Sequence, residues 1–311
     1  MARRVLVTGG AGFIGSNLVR GLLERGDDVR VLDNFSTGSR ANLEELEGQV
    51  EVMEGELRSY ERVHNAVRSV EVVFHVGALG SVPRSVQDPL TTSAVNVEGT
   101  LNVLLAARDE GVRRVVYASS SSVYGSAVQL PAQEASPVDP ISPYGVAKLA
   151  AERYCVSFSR VYHSFESVVL RYFNVFGPRQ NPHSQYAAVV PLFITAIEAG
   201  EPVTIFGDGE QSRDFTYVDN VVEANIRAAD ANGANGRIFN VAAGSPRSVN
   251  QLAETVSELL GKPVERRYGE PRAGDLRDSY ADIAAARDVL GWQPEVAFED
   301  GLRRTAEALL G

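Results

Sequence analysis

Tyr144 and Lys148 are the residues of this chain whose types and spacing most directly imply chemistry. They form a Tyr-x-x-x-Lys step just after Pro143, and a separation of four puts both side chains on one face of a helix. An ammonium beside a phenol stabilises the phenolate and draws a tyrosine pKa down from about 10 toward neutrality. Such a tyrosine can act as general base toward the hydroxyl of an alcohol or sugar. Upstream, Ala118-Ser119-Ser120-Ser121-Ser122-Val123-Tyr124-Gly125 follows the apolar run 115–117. A serine hydroxyl there can donate and accept in a proton relay with the reacting oxygen. One or two of the four serines suffice for that.

A second constellation opens the chain. The apolar run 5–7 leads into Thr8-Gly9-Gly10-Ala11-Gly12-Phe13-Ile14-Gly15 and then an amphipathic segment. Gly9, Gly12 and Gly15 permit a tight turn, close backbone approach to a pyrophosphate and close helix–sheet packing. The following helix N-terminus offers free N–H groups and partial positive charge to phosphates. A glycine triplet alone says little. Here it follows a strand, opens a helix and is followed 21 residues after Gly12 by Asp33, at the end of the next apolar run. A carboxylate at that place can accept from the adenosine ribose hydroxyls and repels a 2′-phosphate, so NAD is expected over NADP.

These groups need a scaffold, and the hydrophobic pattern predicts one. Apolar, β-branched runs at 5–7, 29–32, 70–76, 115–117 and 168–170 alternate with helical patterns such as 17–25, 101–109 and 146–158. Continuous apolar strands separated by helices predict an α/β fold, a doubly wound parallel sheet covered on both faces. Ligands of such sheets bind outside the carboxyl ends of the strands, where the glycine turn and the serine run both fall. After about Tyr172 the texture turns loop-rich, with Gly, Pro, Asn and Asp at 177–183 and 207–209 and helical patterns at 189–198, 218–230, 249–260 and 283–290. We expect a nucleotide-binding domain over 1–172 and a smaller substrate-binding lobe over 173–311, some of whose segments return to the first domain.

At 311 residues, 44% hydrophobic and 23% charged, the chain has ordinary globular composition. The net charge of −10 argues against a general nucleic-acid surface, which needs a basic face. Only Lys148 and Lys262 among the 30 basic residues are lysines. The single cysteine, Cys155, lies in an apolar helical pattern and reads as a buried thiol. No stretch approaches the roughly 18 apolar residues of a membrane span, and a cytoplasmic protein without metal is expected.

The motifs resemble those of the extended short-chain dehydrogenase/reductases that act on nucleotide sugars, the NAD-dependent epimerase/dehydratase family. The resemblance covers almost the whole chain and rests on residues 7–15, 117–125, Ser142-Pro143-Tyr144-Gly145-Val146-Ala147-Lys148, Arg171-Tyr172-Phe173-Asn174-Val175-Phe176-Gly177 and 207–215. Within the family it is most similar to UDP-hexose and UDP-N-acetylhexosamine 4-epimerases. The resemblance implies Ser120, Tyr144 and Lys148 as the catalytic set. NAD would lie on Gly9, Gly12, Phe13, Ile14 and Gly15, with Asp33 and Asn34 toward the adenosine and Asn96, Tyr144 and Lys148 toward the nicotinamide. Asn174, Arg213 and Arg272 would hold the diphosphate and Asp275 the uridine ribose, arginine forks being matched to phosphate oxygens. Gly80, Ser81, Arg84 and Ser279 would surround the sugar. A homodimer through the helices near 101–109 and 146–158 is a family expectation.

Three positions depart from the family pattern: Gly55-Glu56 stands where many relatives have Gly-Asp, His75-Val76-Gly77-Ala78 replaces His-x-Ala-Ala, and Gly80 replaces a lysine of some galactose-type epimerases. Sugar 4,6-dehydratases carry Asp-Glu where this chain has Ser121-Ser122, and UDP-glucuronate decarboxylases a glutamate at the second position. Their absence favours oxidation and re-reduction at C4. Alternatives are a UDP-glucuronate 4-epimerase, another sugar dehydratase or decarboxylase, or a non-catalytic NAD-binding protein.

Overall fold

The computed structural model describes residues 2–126, 128–182, 188–271 and 276–311. Seven strands make one sheet: β1 (Arg4–Thr8), β2 (Asp28–Asp33), β3 (Glu51–Glu54), β4 (Val72–His75), β5 (Arg114–Ser120), β6 (Glu166–Tyr172) and β7 (Arg237–Val241). Their order is β7-β6-β5-β4-β1-β2-β3 and every neighbouring pair is parallel. The order reverses between β1 and β4, which opens a crevice at the carboxyl ends of both.

Helices cover both faces, as the unbroken apolar strands require. One core joins Val5, Val7, Val29, Val31, Val116 and Leu170 to helix α1 (Phe13–Glu24) and to the helix Val218–Asp230. The other joins Leu6, Val73, Val115 and Val169 to the helices Tyr60–Val67, Gly99–Asp109 and α2 (Pro143–Val161). Cys155 lies fully buried in this second core, and burial pushes its thiol pKa up.

Two elements differ from the expected layout. Residues 237–241, not foreseen as a strand, form the edge strand β7, so the chain beyond 172 contributes directly to the main sheet. The pattern at 283–290 also does not close the chain. A further helix, Phe298–Leu310, buries Phe298, Leu302 and Ala306 against Val190, Phe193 and Ile194 of the helix Val189–Glu198. Between these elements Trp292, 1% exposed, donates its indole N–H to the Asn220 carbonyl at 2.9 Å.

Large-to-small changes at such a site combine lost burial with a cavity. Trp292→Ala should therefore cost about 3–5 kcal/mol, read as a lower denaturant midpoint by circular dichroism. A midpoint within experimental error of the wild type would show that the tryptophan is not part of the cooperative core.

Candidate active site

Helix α2 begins where Ser142 accepts from the Gly145 N–H at 3.1 Å and Pro143 takes the first helical position. Tyr144 follows, its own N–H donated to the fully buried Ser85 hydroxyl at 3.1 Å. The helix packs so closely on the serine run that a Cβ on Gly145 would lie 2.6 Å from the Ser122 carbonyl oxygen. Lys148, buried one turn on, donates to the Ala118 carbonyl at 2.8 Å and stands 5.0 Å from the centre of the Tyr117 ring. The Ser120 hydroxyl ends β5 and holds Ser122, through its backbone N–H and its hydroxyl, both at 3.2 Å. Ser120, Tyr144 and Lys148 are thus brought together at the carboxyl edge of the sheet.

Their electrostatics differ from the simple expectation of a phenol lowered by lysine. Burial raises the Tyr144 pKa above its ordinary value, and hydrogen bonding with Ser120 pulls it partly back. Burial also pushes the Lys148 ammonium down to about 8. The Lys148 ammonium itself is engaged by the Ala118 carbonyl and the Tyr117 face.

The glycine turn is built for a ligand's phosphates. Gly9 has φ +68° and a Cβ there would meet Gly77 Cα at 2.6 Å, while one on Gly15 would strike the Gly9 carbonyl oxygen at 2.1 Å. Gly12 has no side chain to cap α1, so among the described residues the N–H groups at this helix start are left open to the turn. The buried Asp33 accepts from Ala11 N–H at 2.9 Å and Phe35 N–H at 2.8 Å, one on each oxygen. It therefore shapes the turn and retains lone pairs for ribose hydroxyls. Asn34, beside it, is exposed and caps the Ser36 N–H at 3.1 Å. This cradle of missing side chains, uncapped helix and terminal carboxylate fits a dinucleotide.

Asn96, buried in the π-helical turn Ala94–Glu98, spends its amide on the Leu79 backbone, accepting at 2.8 Å and donating at 3.1 Å. It thereby holds the loop that carries Gly80 and Ser81. Gly80 is exposed with open space around its Cβ position. Ser81 caps the helix Val82–Gln87 by accepting from the Arg84 N–H at 3.2 Å.

On the opposite wall, Ser279 pairs in parallel register with Arg213, and the Ser279 side chain is buried. The Arg213 guanidinium donates to the carbonyls of Ser212 at 2.7 Å and Arg277 at 3.2 Å. Asn174, at φ +29°, is exposed just past β6, its carbonyl accepting from the Thr216 N–H at 3.2 Å. Arg272 and Asp275 lie outside the described residues. Next to the Ser279 strand a cavity of about 660 Å³ is lined by Phe206, Asp208, Gln211, Tyr268 and Arg277, none of them foreseen.

A strand–glycine turn–helix ending in Asp33, joined at one sheet edge to a Ser/Tyr/Lys cluster, is matched by known proteins. The model of the NAD-dependent epimerase/dehydratase family matches residues 5–242. The chain belongs to this family. It is 42% identical to a UDP-glucose 4-epimerase of Mycolicibacterium smegmatis over 98% of this chain and 97% of that one. It superposes on a UDP-N-acetylglucosamine 4-epimerase of Methanobrevibacter ruminantium, in complex with UDP-N-acetylmuramic acid, with TM-score 0.94, 38% identity and coverage of 99% and 98%. A UDP-glucose 4-epimerase of Thermus thermophilus in complex with NAD gives TM-score 0.90 and 39% identity over 99% of both chains.

Against that family background, three further residues support the site. Asp214, buried beside Arg213, accepts from Ala243 N–H at 2.8 Å, Gly244 N–H at 3.1 Å and Ala281 N–H at 3.3 Å, while burial raises its pKa to about 6. It pins the substrate-side strands together. Glu152 and Arg171 form a fully buried pair behind the catalytic face. Glu152 continues the spacing of four from Tyr144 and Lys148, and Arg171 interrupts an apolar strand; both were legible signals. Asp214 carried none, because its partners are backbone groups distant in sequence.

Asp33 leads to a direct expectation. NAD should copurify and be released on denaturation, with a clear preference over NADP that Asp33→Ser weakens. Comparable binding of NADP by the wild-type protein would overturn this.

Proposed function

We propose that this chain is a UDP-sugar 4-epimerase, interconverting UDP-GlcNAc with UDP-GalNAc and UDP-glucose with UDP-galactose, with NAD retained through the cycle. The observation that carries this is the convergence of Ser120, Tyr144 and Lys148 at the sheet edge beside Ser121 and Ser122, which offer no acid for elimination or decarboxylation. Residues 1–172 would bind the cofactor on Gly9, Gly12, Phe13, Ile14, Gly15, Asp33 and Asn34, and residues 173–311, apart from β7, most of the nucleotide sugar.

NAD, when bound, supplies a hydride acceptor at C4 and a positive ring charge. Tyr144 removes the 4-hydroxyl proton, directly or through Ser120. Lys148 keeps the Ala118 carbonyl turned toward the site and lends its ammonium to the same region. The 4-keto sugar turns over within the cleft, so reduction occurs on its other face and Tyr144 returns the proton. Asn174, Arg213, Arg272 and Asp275 hold the nucleotide while this happens, and Gly80, Ser81 and Arg84 bound the sugar. The side chains of Val86, Leu90, Val146 and Tyr154, exposed along α2 and the short helices packed on it, suit burial in a homodimer. We place the enzyme in the cytoplasm.

Tyr144→Phe should lower turnover by about a hundredfold or more, the scale of general-base removal, with UDP-sugar binding retained in calorimetry. Near-normal turnover would mean that another group is the base.

Ser279 sets the second expectation. Where plain-hexose epimerases place a tyrosine, a serine leaves room for a 2-acetamido group and a hydroxyl to bond it. Ser279→Tyr should abolish the acetamido reaction and spare the plain hexoses, as resolved by chromatography of the epimers. A wild-type enzyme that turns over only the non-acetylated pair would refute the role of Ser279.

A further inference from the structure

Glu152 and Arg171 are both fully buried. The pair is bidentate, with Arg171 Nη2 to Glu152 Oε1 at 2.6 Å and Arg171 Nε to Glu152 Oε2 at 2.9 Å. Ser119 adds a third contact, its hydroxyl donating to Glu152 Oε2 at 3.0 Å. The other guanidinium nitrogen donates to the Glu134 carbonyl at 3.2 Å, and the group lies 4.6 Å from the centre of the Tyr124 ring. A well-packed apolar substitute for such a pair is often as stable or more so, so stability alone does not account for it.

Register does. Three consecutive residues of β5 meet three residues of α2 spaced by four: the Ala118 carbonyl takes Lys148, the Ser119 hydroxyl takes Glu152 and the Ser120 hydroxyl meets Tyr144. The first and third rungs involve the reacting groups. The Ser119–Glu152 contact continues to a third element, β6, through the buried Arg171. A shift of α2 against β5 would break this tie to β6.

We propose that Glu152 is a positioning residue for the reaction, holding the Ser120 hydroxyl in register with the Tyr144 phenol through its contacts to Ser119 and Arg171. The proposal rests on the epimerase reading given above. It concerns a fully buried group whose contacts are to Ser119 and Arg171.

The test uses the NAD-loaded enzyme with UDP-glucose and UDP-galactose, comparing wild type with Glu152→Gln, Ser119→Ala and the double variant Glu152→Leu/Arg171→Met. Glu152→Gln should lose about tenfold to a hundredfold in kcat, the cost of a misplacement near one ångström, with KM and NAD content essentially unchanged. Ser119→Ala, which leaves the ion pair intact, should show a smaller loss in kcat at unchanged Tm. The double variant should regain wild-type Tm while its kcat stays low, separating register from stability. Wild-type kcat in the folded double variant or in both single variants overturns the proposal, as does a rise in KM at constant kcat. An inert wild-type enzyme would instead overturn the assigned reaction. The positioning role then stands or falls on the ultraviolet tyrosinate titration, taken as the difference from Tyr144→Phe: it should move upward in Glu152→Gln, and an unmoved titration refutes the role.

Discussion

The buried bidentate contact between Glu152 and Arg171 is the constraint on which the site's assembly depends. Taking either charge from water is costly, and removing one partner of such a pair commonly costs about 3–5 kcal/mol. The helix bearing Tyr144 and Lys148 is therefore tied to β6 rather than merely packed on it. The tie extends outward. Arg171 also holds the Glu134 carbonyl and faces Tyr124, whose hydroxyl donates to Asn240 at 2.7 Å. Asn240 in turn donates to the carbonyls of Ala132 at 2.9 Å and Asp282 at 3.1 Å. Ala132 N–H then meets the Tyr280 carbonyl at 2.9 Å, next to Ser279. One polar chain thus runs from behind the catalytic helix to the wall that carries the candidate sugar contact.

A second chain fixes the cofactor side. The Thr100 hydroxyl donates to the Asn96 carbonyl at 2.7 Å, so His75 Nε2, 2.9 Å away, must donate to Thr100. His75 Nδ1 is then an acceptor for the Thr8 hydroxyl at 2.7 Å, and Thr8 accepts from the Gly77 N–H at 3.1 Å. This order requires neutral histidine, and burial pushes the His75 pKa down to about 3, consistent with that assignment. The imidazole fastens the glycine turn, the β4 exit and the Asn96 turn to each other. Asn96 completes the arrangement by gripping the Leu79 backbone.

How much of this was legible depended on where each residue's partners lie. The strand–glycine turn–helix with Asp33 and the Tyr144/Lys148 step are local patterns with local reasons, so they could be read directly. The five strands foreseen from apolar runs were the buried central ones. β7 escaped because Asn240 breaks its apolar run, its buried amide being satisfied by carbonyls from residues 132 and 282. Asp214 escaped for the same reason: a carboxylate that receives N–H groups from 243, 244 and 281 looks like any exposed aspartate in sequence. The burial that raises the Tyr144 phenol is a tertiary effect that the local Tyr-x-x-x-Lys spacing does not show.

The burial of this pair bears on how the site works. Burial raises the phenol and lowers the ammonium to about 8, so at neutral pH the phenol keeps its proton and the ammonium most of its charge. Hydrogen bonding with Ser120 opposes this for Tyr144. Small changes in the Ser120–Tyr144 geometry act on a hydrogen bond that lowers the phenol, and the contacts of Ala118 and Ser119 with Lys148 and Glu152 hold that strand end against the helix face.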